Sequence, residues 1–120
     1  IIDALNRVRE PFNVNTVAQA AAMACLKDQG YYRKMARNIE AQRKYLYRSL
    51  RKMGLKFVET VTNFILVNVE RDSFKVSQKL LRQGVIVRDM RFWGLNNFIR
   101  VTIGTPKENR TFISALRGTL

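Results

Sequence analysis

Histidine is missing from this 120-residue sequence, which has only one cysteine, two prolines and nine acidic residues. Without histidine there is no Ser-His or Cys-His nucleophile pair and no histidine-based metal site. Cys25 has no partner for an internal disulfide. Set in an alanine-rich helical pattern, it is expected to pack as a small apolar residue, which suits a reducing cytoplasm. The glycines form neither a GxGxxG fingerprint nor a phosphate-binding P-loop. The carboxylates are scattered, and none pairs in an apolar context as an acid/base dyad requires. No apolar run is long enough to cross a membrane as a helix, and no secretory pattern opens the chain. With no methionine ahead of Ile1, the sequence reads as a piece cut from inside a longer soluble protein.

What the chain has in excess is positive charge. Twenty-two basic residues against nine acidic ones give +13, a balance that raises nucleic acid or another polyanion as a partner. Much of the excess lies in residues 31–53, where Arg33, Lys34, Arg37, Arg43, Lys44, Arg48, Arg51 and Lys52 face Glu40 alone. On a helix these fall mostly opposite Met35, Ile39, Leu46, Leu50 and Met53, so an ordinary solvated face accounts for them. No RNA-binding, zinc-finger or helix-turn-helix signature favours nucleic acid.

The local signals divide the chain cleanly. Residues 9–15 read as an extended or turn segment, since proline disfavours helix just before it, and Asn15 is placed to cap the next helix. A helix over 16–29 is predicted to stop at Gly30, and a longer one over 31–53 at Gly54, both glycines left-handed. Strands are predicted over 55–58 and 63–69. A helix capped by Asp72 or Ser73 runs to Gln83, with Val76, Leu80 and Leu81 inward and Gly84 as its stop. Two more strands are expected over 84–88 and 98–104. Alternation in the second puts Ile99, Val101 and Ile103 on one face and Phe98, Arg100 and Thr102 on the other. Thr105-Pro106-Lys107-Glu108 fits a capping box with proline at the first helical position, opening a helix to Arg117 that buries Phe112, Ile113 and Leu116 and ends at Gly118. The pattern specifies an α+β fold: a small, mostly antiparallel sheet with helices on one face.

Each of the last two strands carries one arginine, Arg88 and Arg100. A planar, permanently charged guanidinium fixed on a strand suits the gripping of a carboxylate or phosphate. The same residue also suits an exposed strand edge, where it serves solubility. The segments GVIVRDM and GLNNFIRVTIGTPKEN, with RVREPFNVNTVAQAAA and TNFILV upstream, resemble the C-terminal part of the histidinol-phosphate aminotransferases. These are class I/II pyridoxal-phosphate enzymes of fold type I. Other aminotransferases of the class and a threonine-phosphate decarboxylase share parts of the pattern.

The resemblance implies that residues 1–30 finish or abut the large domain, and that 31–120 form the small C-terminal domain with its long connecting helix. It also implies a cytoplasmic homodimer that moves an amino group between histidinol phosphate and 2-oxoglutarate, in histidine biosynthesis, with pyridoxal phosphate as cofactor. By the same resemblance Arg100 holds the anion common to the amino donors. Arg88 holds the second anion, a phosphate or distal carboxylate, or shares the first. The family's Schiff-base lysine lies in a serine-rich motif expected before Ile1, as do its cofactor-phosphate arginine and pyridine-nitrogen aspartate. None of the eight lysines here occupies a matching motif, so the segment alone is expected neither to react nor to hold the cofactor. Asn63 could orient a loop at the site, though an Asx-turn cap is the favoured reading of it. Asn13 and Asn15 could contact the cofactor domain or a neighbouring subunit, and a turn and a helix cap explain them at least as well. Arg91-Phe92-Trp93 is bulkier and more basic than the family's short polar or tyrosine-bearing link. Trp93 is either a core plug or a lid contact. The competing function is a binding module that presents helix 31–53 to a polyanion.

Overall fold

The computed structural model describes residues 1–9 and 12–120. Glu10 and Pro11, part of the expected extended entry, lie outside the described residues. The chain divides into two compact units, Ile1–Lys34 and Met35–Leu120.

The first unit holds α1 (Ile2–Val8), α2 (Thr16–Lys27) and the start of α3 (Gln29–Lys52). Helix α1 is not among the expected elements. It is a two-turn helix with no side-chain cap and no buried residue, although Ile2, Leu5 and Val8 recur at helical spacing. Helix α2 starts as predicted, with Asn15 Oδ1 accepting the Ala18 N–H at 2.8 Å. Its end is different. The break falls at Asp28, whose Oδ1 accepts the Tyr31 N–H at 3.0 Å and opens α3. Gly30 therefore sits in the first turn of α3 rather than acting as a left-handed stop. An aspartate that caps the next helix overrides a glycine that merely permits a stop. Cys25 is an exposed free thiol, not a packed one, on a helix with no buried residue.

The second unit contains the rest of α3, β1 (Phe57–Val58), β2 (Phe64–Asn68), α4 (Ser73–Arg82), β3 (Arg88–Asp89), β4 (Phe98–Thr102) and α5 (Pro106–Thr119). The four strands lie in the order β1-β2-β4-β3, with every pairing antiparallel. Alternation sends Ile65 and Val67 of β2, with Ile99 and Val101 of β4, to a buried face. Leu46 and Leu50 of α3, Val76 and Leu80 of α4, and Phe112, Ile113 and Leu116 of α5 close over that face. The α+β expectation, helices on one face of a small antiparallel sheet, holds.

Caps fix the element ends. Gly54 and Gly84, at φ 72° and 77°, complete matching helix stops. In each, the glycine N–H donates to one carbonyl of the last turn (Arg51 or Leu81), and the next residue donates to an earlier one (Leu50 or Leu80). Thr105 and Glu108 form the predicted capping box with Pro106 at the helix start. Buried Asn109 donates to the Gly104 carbonyl and to Gln42 Oε1 at 2.9 and 3.1 Å, tying the end of β4 to α3.

Several expectations need correction. Residues 84–87 are not strand. Val85 N–H is engaged by the Leu80 carbonyl, so the chain leaves α4 before it can join the sheet, and Ile86 is 85% exposed. Leu81 points outward, off the stripe set by Val76 and Leu80. Helix α5 runs through Gly118, because Thr119 beyond it is buried and bonded to the Ala115 carbonyl and Gln83. Met35 is exposed. Arg43 is not part of a solvated face: its Nη2 donates to the Val61 and Thr62 carbonyls at 3.2 and 3.1 Å, pinning the loop before β2. Arg51 lies over the Tyr47 and Phe57 rings and pairs with Glu59.

Candidate functional site

The face of the sheet away from the helices is open, and it collects the two arginines. Register sets Leu66 opposite Arg100, and Arg100 opposite Arg88, so both guanidinium groups leave the same face from adjacent strands. Arg100 is half-buried and Arg88 exposed. Each is paired with an aromatic ring: Arg100 Cζ lies 5.0 Å from the Phe64 centroid, and Arg88 Cζ 5.6 Å from that of Trp93. Among the described residues, neither arginine forms an ion pair.

Two like charges directly opposite on neighbouring strands repel, by about 1 kcal/mol at 4 Å under water-like screening. A charge-assisted hydrogen bond to an anion contributes about 1.5–3 kcal/mol, so one bound phosphate or carboxylate turns the pair from a cost into a grip.

Asp89, next along β3, faces the opposite way and meets the start of α4. Its carboxylate accepts from Ser73 Oγ at 2.6 Å, Arg91 Nε at 2.7 Å and Arg91 N at 3.2 Å. Burial pushes its pKa up, but the Ser73 hydroxyl and the Arg91 side chain and backbone outweigh that and hold it below the ordinary aspartate value. Arg91 also lies 4.1 Å above the Phe74 ring. The Asn96 and Asn97 carbonyls accept from Ser73 N and Val69 N, so the link between β3 and β4 is fastened at both ends. Trp93, in the 3-10 turn Arg91–Trp93, is 52% exposed and therefore not a core plug.

Asn63 is exposed, and its backbone carbonyl accepts the Ile103 N–H at 2.8 Å. The turn before β2 is closed by the Thr60 and Thr62 hydroxyls rather than by an Asn63 side-chain cap. Two grooves lie elsewhere in the unit. One of about 720 Å³ runs between α3 and the loop after β1, and one of about 680 Å³ between residues 84–87 and the start of α5. Neither is lined by Arg88 or Arg100.

The family model for aminotransferase class I and II matches residues 1–116. The chain belongs to this family. A histidinol-phosphate aminotransferase of Moorella thermoacetica is 52% identical across 98% of this chain, and a second, from Carboxydothermus hydrogenoformans, is 42% identical across 95%. Those alignments take in 30% and 32% of the relatives, so the chain spans about a third of their length. Among solved structures, the histidinol-phosphate aminotransferase of Clostridium acetobutylicum is 30% identical with a TM-score of 0.78, over 97% of this chain and 36% of that one. The enzyme of Sinorhizobium meliloti, solved with pyridoxal-5'-phosphate, is 26% identical with the same TM-score, over 98% and 33%.

For this aminotransferase segment, sequence reading singles out Arg88 and Arg100 but cannot set them face to face, because register is a tertiary property. It also misses the aromatic rings beneath them and the Asp89–Ser73 tie. One signal was available for Asp89: alternation from Arg88 sends it to the core face, where a carboxylate must find donors.

Proposed function

We propose that this chain is the C-terminal substrate-recognition segment of a histidinol-phosphate aminotransferase, and that Arg88 and Arg100 together bind the substrate's anions. The observation that carries this reading is the juxtaposition, on the open sheet face, of two arginines that have no ion-pair partner among the described residues. The relatives' shared name supplies the substrate class. Arg100 takes the anion common to the amino donors, and Arg88 shares it where that anion is the phosphate. Asn63, exposed at the end of β2, contributes through its loop.

Pyridoxal phosphate, when bound, supplies the electron sink for amino transfer. A Schiff-base lysine works from a desolvated pocket, whereas all eight lysines of this chain are exposed. The residues present do not fit the cofactor's covalent attachment, so the segment's part is to bind and orient substrate, and alone it is inactive. In this reading residues 1–30 end or abut the large domain, 31–120 form the small one, and the whole enzyme is a cytoplasmic homodimer. No helix among the described residues is long and apolar enough to cross a membrane.

The experiment is kcat/KM for histidinol phosphate, for glutamate and for unphosphorylated histidinol in the full-length enzyme. Arg100→Ala should lower kcat/KM for histidinol phosphate and for glutamate alike by roughly tenfold to several hundredfold, the scale of one lost paired contact. Arg88→Ala should fall mainly on the phosphorylated substrate. Lysine at either position should rescue only in part, lacking the two-pronged geometry. Unchanged kinetics in Arg100→Ala would sink the proposal.

A polyanion-binding module is the weaker reading. Arg43 and Arg51 of the basic helix are engaged within the fold. Submicromolar, steeply salt-dependent binding to mixed-sequence DNA would revive it.

A further inference from the structure

Arg88 is poorly held by its own strand. Strand β3 is two residues long and lies at the sheet edge, residues 84–87 stay outside the ladder, and Arg100 opposite repels it. A long, exposed cationic side chain so placed is free to swing into solvent. Trp93, the only tryptophan in the chain, stands in its way. The indole lies under the guanidinium at 5.6 Å, within the roughly 6 Å over which a cation is attracted to a ring face, and tryptophan offers the strongest such face.

The turn carrying Trp93 is anchored without help from Arg88. Trp93 N and Leu95 N both donate to the carbonyl of buried Met90, at 3.0 and 3.3 Å, while Arg91 is clamped between Asp89 and the Phe74 ring. The Phe92 ring meets Trp93 edge-on at 5.2 Å but has no cation of its own. Phe64 of β2 lies 5.0 Å from the Arg100 guanidinium in the same way.

We infer that Trp93 is a positioning residue, whose indole face holds the Arg88 guanidinium on the open sheet face beside Arg100 so that the two form a ready-made fork for a phosphate. This rests on the anion-pair reading proposed above. Trp93 acts through Arg88 and touches no reacting atom.

The test is a double-mutant cycle in the full-length enzyme, with KM and kcat measured for histidinol phosphate. Trp93→Leu should raise KM about two- to fivefold with kcat little changed, the factor expected of one exposed cation–π contact. Trp93→Phe should retain most of the wild-type KM. In an Arg88→Ala background Trp93→Leu should add nothing, because the group it positions is gone. A loss from Trp93→Leu that is equal with and without Arg88 would make Trp93 a scaffold residue and overturn the inference. A silent Trp93→Leu beside a damaging Arg88→Ala would overturn it too, while leaving the anion pair standing. A silent Arg88→Ala would remove the phosphate role of Arg88, and this inference with it.

Discussion

The two units of this chain are helical for different reasons. Residues 35–120 bury Leu50, Ile99 and Leu116 to 0% exposure, and each element there is also held by tertiary contact. Among the described residues of 1–34, none is buried, although Ile2, Leu5, Val17, Met23 and Leu26 are all apolar. There, helix rests on alanine-rich propensity and on the Asn15 and Asp28 side chains. Propensity and caps are enough to shape a helix but contribute little to a cooperative fold, since most helical stability in proteins comes from packing an apolar face.

Truncating a leucine in each unit gives the largest expected contrast. Leu50→Ala should destabilise the chain by about 2–5 kcal/mol, transfer term and cavity together. Leu26→Ala, at 67% exposure, should stay within about 0.5 kcal/mol. Urea unfolding followed by far-UV circular dichroism would measure both. A Leu26→Ala loss as large as that of Leu50→Ala would mean the first unit shares the core's cooperativity.

The same contrast explains what could be read from the sequence. Caps are local, so Asn15, Asp72, the Thr105–Glu108 box and the Gly54 and Gly84 stops were legible, as was alternation in β2 and β4. The failures fall where a competing hydrogen bond, or burial that the sequence does not announce, outvotes the simplest local signal. Gly118 permits a stop, but burial of Thr119 carries the helix past it. Val85-Ile86-Val87 has strand composition, but the α4 stop uses the Val85 N–H first. Cys25 and Met35 look like core residues and lie exposed. The site obeys the same rule. Both arginines could be named from their motifs, while their pairing across strands and their aromatic supports required the register.

A smaller effect sharpens the comparison, because the two units each have a side-chain cap to remove. Thr105→Ala should cost about 1 kcal/mol of global stability, since α5 is integral to the core. Asn15→Ala removes an equivalent bond at 2.8 Å from a helix with no buried residue. It should leave the urea midpoint unmoved and instead speed amide exchange across residues 18–22. A shifted midpoint in Asn15→Ala would show that α2 unfolds together with the core.

The smallest effect is present at neutral pH and fades in acid. Asp89 is held below its ordinary value of 3.8 because the Ser73 hydroxyl and Arg91 favour the carboxylate more than burial disfavours it. A carboxyl depressed by folding stabilises the native state fully above its unfolded pKa, and that contribution fades as pH falls through the lower folded value. Asp89→Asn keeps an oxygen for Ser73 but loses the charge opposite Arg91. It should therefore lower stability by about 0.5–1 kcal/mol at pH 7, the scale of a partly exposed ion pair. The gap between variant and parent should persist down to the ordinary carboxylate range and close below it, where the parent's Asp89 is also neutral. Urea midpoints at pH 7, 5, 4 and 3 would trace it. A gap that stays constant to the lowest pH would assign the loss to altered packing at the start of α4 rather than to the charge.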